Sequence, residues 1–150
     1  MFRHILVPSD GSALSKRAAT FAIKLARANR ARITALHVIA PFSPVASYMD
    51  GAVAYPELFS EKEYKRSTET QAARMLGRIA RRADEAKVRC DVMHVYASAP
   101  WRAIIKAARA RRCDLIVMAS HGRAGLEALL LGSETTKVLT HSKTPVLVTR

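Results

Sequence analysis

Five short apolar runs, separated by stretches of a different periodicity, constrain the fold of this chain more than any other feature. They are ILV at 5–7, ITALHVI at 33–39, CDVMHVY at 90–96, CDLIVMA at 113–119 and PVLVT at 145–149. Runs of this length, bounded by turn residues, read as strands. Between the first two, Leu14, Ala18, Phe21, Ala22 and Leu25 recur every three or four residues, which predicts an amphipathic helix with those residues facing inward. Ser12 stands at its natural N-cap. Ser60-Glu61-Lys62-Glu63 has the capping-box pattern, and behind it Ala72, Leu76, Ile79, Ala83 and Ala86 form one apolar face. A third helix opens at Ser98-Ala99-Pro100 and packs Ile104, Ile105 and Ala108 inward beside Trp101. A fourth starts near Ser133 and runs to His141. Strand and helix therefore alternate. That grammar predicts a single α/β domain over 1–150, an open parallel sheet with helices on both faces. The stretch 42–58 keeps no period and contains Pro44, Gly51 and Pro56. It reads as a long loop, with Tyr48 and Tyr55 available to cover a site or an interface.

The bulk composition excludes several classes. No apolar run approaches the length of a membrane span, and the opening MFRHILVP is interrupted too soon for a signal peptide. A cytoplasmic location without a membrane partner is the expectation. Cys90 and Cys113 are too few for a disulfide framework or a metal quartet and read as buried thiols. His4, His37, His94 and His141 are scattered, with no zinc-ligand spacing, so no metal site is expected among them. The formal charge of +13 attracts polyanions. The basic residues are nevertheless spread over several helices, a placement that favours solvated helix faces and argues against a nucleic-acid partner.

In an open parallel sheet, ligands bind beyond the carboxyl ends of the strands, where the winding direction reverses. Two such ends carry suitable residues: Pro8-Ser9-Asp10-Gly11-Ser12 after the first strand, and Ala119-Ser120-His121-Gly122 after the fourth, continuing to Gly132-Ser133. A phosphate needs backbone N–H groups that can approach closely and the positive end of a helix. Gly122 and Gly132 remove side chains where such an approach is needed, and Ser133 sits where the N-cap of the last helix should be. The amides of Glu134 and Thr135 would then point toward an anion. No GxxxxGK(S/T) or early GxGxxG is present, which excludes a P-loop hydrolase and argues against a dinucleotide cofactor. His121 and Asp10 lack neighbouring partners for a catalytic triad, and no catalytic residue is assigned.

ILVPSDGS at 5–12, ALHVIAP at 35–41, CDLIVMASHGRAG at 113–125, LLLGS at 129–133 and TPVLVT at 144–149 together resemble the universal stress protein family over nearly the whole chain. Its ATP-binding members carry G-x2-G-x9-G-(S/T), whose second glycine falls on Gly122 and whose final pair falls on Gly132-Ser133. The resemblance implies a Rossmann-like sheet of the adenine nucleotide alpha hydrolase type, ordered 3-2-1-4-5, and a homodimer paired through the strand-five edges. It implies ATP as ligand, with Mg²⁺ or Mn²⁺, in a regulatory stress-response role with slow hydrolysis at most. Asp10, with Pro8 and Ser9, would hold the adenosine end, and Val38 would touch the adenine. Ala119, His121, Gly122, Arg123, Gly132 and Ser133 would wrap the phosphates, helped by the amides of Glu134 and Thr135. The absence of a lysine from 119–133 argues against fast turnover.

Two positions depart from the pattern. Ala119 replaces the first glycine, harmless if φ is negative there and crowding if φ is positive. Glu134 places a carboxylate in the first helical turn, where it would repel a polyphosphate or share a divalent cation with it. These departures leave two other readings: a dimeric interaction module of the same family without ATP, and a polyanion binder acting through the basic surface.

Overall fold

The computed structural model describes residues 1–43, 60–121 and 131–150. The 42–58 loop expectation with Tyr48 and Tyr55, and the sites assigned to Gly122 and Arg123, therefore lie largely or wholly outside the described residues. Among the described residues nine elements alternate: β1 (His4–Pro8), α1 (Ala13–Asn29), β2 (Arg32–Ile39), α2 (Glu61–Glu85), β3 (Cys90–Tyr96), α3 (Pro100–Ala110), β4 (Leu115–Ala119), α4 (Ser133–His141) and β5 (Val146–Thr149). All strand pairs are parallel, in the order β3-β2-β1-β4-β5. The parallel sheet is the one expected from the alternation, and its Rossmann-like order is the one the family resemblance implies.

The pleat of the strands divides the core into two layers. Ile5, Val7, Ile33, Ala35, Leu115 and Val117 face α1 and α2. Leu6, Leu36, Ile116 and Met118 face α3 and α4, where they meet Ile104, Ala108 and Val138. Burying one such aliphatic side chain contributes about 1.5–3 kcal/mol. The layers explain why β4 is apolar at every position while β3, at the sheet edge, alternates. They also fix the site: the chain leaves β1 toward β2 with helices on one face, then returns to β4, on the other side of β1, with helices on the opposite face. The winding reverses between the carboxyl ends of β1 and β4.

Local signals hold the helices where expected. Ser12 caps α1, its hydroxyl accepting from Ser15 N, and Arg30 closes the helix with φ of 53°. Ser60 and Glu63 form the complete capping box of α2. The inward face of α1 differs from the sequence reading. Its buried residues are Ser15, Ala18, Ala19, Ala22, Ile23 and Ala26, and Phe21 is 43% exposed. Small alanine side chains let this helix lie close on the sheet, and close approach turns the stripe toward Ala19 and Ala26 and leaves the bulky ring on the flank.

Cys90 opens β3 and Cys113 stands just before β4, strands separated by β2 and β1, and neither thiol is in a disulfide. Burial pushes both thiols up to about 11, so neither is a nucleophile at neutral pH. Cys113 precedes β4, and Asp114 straps the sheet at that end: its carboxylate accepts from Arg3 N at 2.7 Å and His4 N at 3.0 Å. Among the described residues, no helix is long and apolar enough to cross a membrane.

His4, 5% exposed, bonds Thr34 Oγ1 through Nε2 at 2.8 Å. Burial, reinforced by the charge of Arg32, holds its pKa below the ordinary 6.5. The unfolded chain therefore takes up more protons than the folded one as pH falls below 6.5, and stability must decline there. Denaturant unfolding measured across this range is expected to show that decline in the wild type and a flatter profile in His4→Gln.

Candidate functional site

The turn after β1 is built by its own side chains. Ser9 is buried, and its amide donates to Leu36 O at 2.8 Å, which ties the turn to β2. Its hydroxyl lies 3.1 Å from that of Ser15 and accepts from Gly11 N at 3.3 Å. Asp10 Oδ1 accepts from Ser12 N at 3.0 Å, an Asx turn that leads into α1. Gly11 adopts φ of 81°, which only a residue without a Cβ takes readily. Asp10 is thereby held at the mouth of the crevice, flanked by Pro8 at the strand end. Val38 lies beyond the last residue of β2 that pairs with β1, and it packs against the α3 side of the core. It forms an apolar wall on the β2 side of the same crevice.

The sequence patterns do not assign His37 to the site, yet the fold brings it there. Its Nδ1 lies 2.8 Å from Ser9 O. A carbonyl only accepts, so Nδ1 carries the proton, and the ring braces the turn from β2. The available signal is its place next to Val38 near the carboxyl end of a strand.

The end of β4 forms the other half. β1 and β4 pair Ile5 with Leu115 and Leu6 with Ile116, and continuing that register brings Ser9 and Asp10 level with Ala119 and Ser120. Ala119 ends the strand. The non-glycine residues with positive φ among those described are Arg30, Lys87 and Arg112, so Ala119 keeps ordinary extended backbone and its methyl group costs no strain. Gly132 N donates to Ser120 O at 2.8 Å, and Thr135 Oγ1 donates to Ala119 O at 3.0 Å. These two bonds pin the amino end of α4 to the carboxyl end of β4. A Cβ on Gly132 would stand 3.2 Å from Ser120 O and 3.3 Å from His121 Cα, tight enough that this backbone would have to give, so the close approach favours glycine. His121 sits beside it, its Nδ1 3.1 Å from Ser120 Oγ.

Two expectations about α4 are corrected. The N-cap is Gly132, not Ser133, which is the exposed first residue of the helix. The pinning requires this, because the residue whose amide reaches Ser120 must also lie close against His121. Gly132 has no side chain, so no side-chain cap occupies the first-turn amides from that position. Glu134 does not turn its carboxylate toward the crevice. Oε2 accepts from Trp101 N at 2.8 Å, and Oε1 meets Lys137 Nζ at 3.1 Å. Ala99, the N-cap of α3, makes no side-chain cap bond, and Glu134 satisfies that helix end from the neighbouring element.

The result is a crevice with an apolar wall at Val38, a fixed carboxylate at Asp10 and a helix amino end at Gly132-Ser133. Such a combination suits a ligand with a planar apolar part, hydroxyl groups and an anionic tail.

A sequence profile of the Universal stress protein family matches residues 1–150. Universal stress protein YxiE of Bacillus subtilis is 32% identical over 150 residues, with 100% of both chains covered. Among solved structures, that of protein MJ0577, from Methanocaldococcus jannaschii, superposes with a TM-score of 0.81 at 27% identity, covering 99% of this chain and 95% of that one. A universal stress protein in complex with cAMP gives a TM-score of 0.71 at 27% identity, covering 99% and 97%. With a match over its full length, this chain belongs to the universal stress protein family.

Proposed function

We propose that this protein is a single-domain, cytoplasmic, ATP-binding regulator of a stress response, with hydrolysis slow at most. The observation that carries the reading is the pinning of Gly132 onto Ser120 and His121, which sets the amino end of α4 at the reversal point of the sheet. In the proposed pose the adenine lies against Val38, the ribose hydroxyls meet Asp10 beside Pro8 and Ser9, and the phosphates run past Ala119 and His121 to Ser133. The amides of Glu134 and Thr135, together with Gly122 and Arg123, complete the phosphate contacts, with Mg²⁺ or Mn²⁺ as counter-ion. The relative solved with cAMP supports an adenine nucleotide as the ligand class. The carboxylate of Glu134 offers no repulsion in this pose, because Trp101 N and Lys137 hold it elsewhere. With no lysine between residues 119 and 133 to meet the phosphates, the site binds rather than turns over.

The same reading includes a homodimer through the β5 edge. Pro145 O and Thr149 O bond to β4, so by the alternation of a parallel ladder the polar backbone groups of Val146 and Val148 face the open edge. A second copy is the partner that would pair them.

Calorimetry of nucleotide-free protein with ATP and Mg²⁺ is expected to give saturable heat; none at high micromolar ATP would overturn the reading. Gly132→Val must displace backbone at Ser120 and His121, and a loss of affinity of about tenfold or more is expected, one decade corresponding to about 1.4 kcal/mol. For the assembly, light scattering is expected to report a dimer for the wild type. Val148→Pro removes an edge N–H while sparing the β4 ladder, so a monomer with an unchanged far-ultraviolet spectrum is expected.

A further inference from the structure

Three cations of α3 line a groove away from the β1–β4 crevice. A groove of about 450 Å³ runs between α3 and α4, lined by Arg102, Lys106 and Arg109 with Trp101, Ile105 and His141. Arg102, Lys106 and Arg109 stand at i, i+4 and i+7, so they share one stripe of the helix, spanning about 10 Å at 1.5 Å rise per residue. α3 contains no carboxylate along its length. The ion pairs among the described residues are Lys65–Glu61, Arg89–Asp91, His94–Glu69 and Lys137–Glu134, none of which involves the stripe. The carboxylate of Glu134 is already engaged by Trp101 N and Lys137. Like charges one turn apart repel, and no carboxylate on the helix relieves them.

We propose that this groove is a second anion site that takes a linear chain of phosphates, with inorganic polyphosphate as its ligand. A row of three cations along a trough matches an anion whose charge repeats along its length. The lining favours phosphate without an attached base. Its polar side chains are cations and one imidazole, with no amide, hydroxyl or carboxylate acceptor for the amino groups of a base. The Trp101 ring is already in contact with the His141 ring, at 4.7 Å between centroids, and with the Arg102 guanidinium, at 5.0 Å. Those contacts hold the indole as a fixed end wall. This inference is independent of the ATP reading, since no residue of the crevice lines the groove.

Trp101 is the sole tryptophan of the chain, so its emission reports the groove directly. Titrating the full chain with inorganic polyphosphate is expected to change that emission saturably. Replacing Arg102, Lys106 and Arg109 together by Gln keeps helix propensity. By calorimetry this variant is expected to bind at least tenfold more weakly. The slope of log K against log salt should become shallower by about 2, because each phosphate that a cation neutralises contributes roughly 0.7 to it. A control that removes the same charge elsewhere, with Lys24, Arg27 and Arg78 all changed to Gln, should stay within about twofold of wild type. An equal weakening in the control, or no change in Trp101 emission, would overturn the proposal. So would a single-stranded oligonucleotide of equal phosphate number that binds as tightly as polyphosphate.

Discussion

The candidate site depends on two hydrogen bonds that join the amino end of α4 to the carboxyl end of β4. Gly132 N reaches Ser120 O at 2.8 Å, and Thr135 Oγ1 reaches Ala119 O at 3.0 Å. Without them the first turn of α4 would be one more surface helix end. With them, its amides are fixed at the point where the sheet reverses its winding, beside the Asp10 turn. The glycine suits this contact, since a Cβ would press on the backbone of Ser120 and His121, which would have to give by a few tenths of an ångström. A helix amino end carries partial positive charge only over its first turn, so close placement decides whether the site is electrostatically useful.

The opposite side of the crevice is held with similar economy. Ser9, Ser12 and Ser15 exchange hydrogen bonds with one another and with Gly11, and His37 braces the Ser9 carbonyl from β2. Glu134 links the two helices of the far layer by satisfying α3 with a carboxylate from α4. A charge that in isolation opposes a polyphosphate thus becomes a structural cap, and Lys137 balances it. Among the described residues, no ion pair engages Arg102, Lys106 or Arg109 of α3.

Much of this is legible in the sequence because it rests on local rules. The strands follow from apolar runs bounded by turns, and β3 matches its expected bounds from Cys90 to Tyr96. The caps at Ser12 and Ser60 follow from side-chain chemistry within one helical turn. What is not legible depends on tertiary distance. Phe21 lies outside the buried stripe because α1 approaches the sheet on alanines, a closeness that periodicity does not encode. Ser133 looks like an N-cap by type, but the bond from Gly132 to Ser120 shifts the cap by one residue. His37 reads as a scattered histidine until β2 is laid beside the Ser9 turn. The destination of Glu134 depends on a contact 33 residues away. Whether Ala119 is tolerated depends on its backbone conformation, which its neighbours in sequence do not specify.

The central claim is that an adenine nucleotide lies across the carboxyl ends of β1 and β4 with its phosphates at the amino end of α4. Mapping amide chemical shifts during titration with ATP and Mg²⁺ tests it most directly, because it reports position as well as binding. The largest changes are expected at Asp10, Gly11, Val38, Ser120, Gly132 and Ser133. Changes confined to Arg102, Lys106, Arg109 and His141 would place the nucleotide in the basic groove instead and contradict the claim.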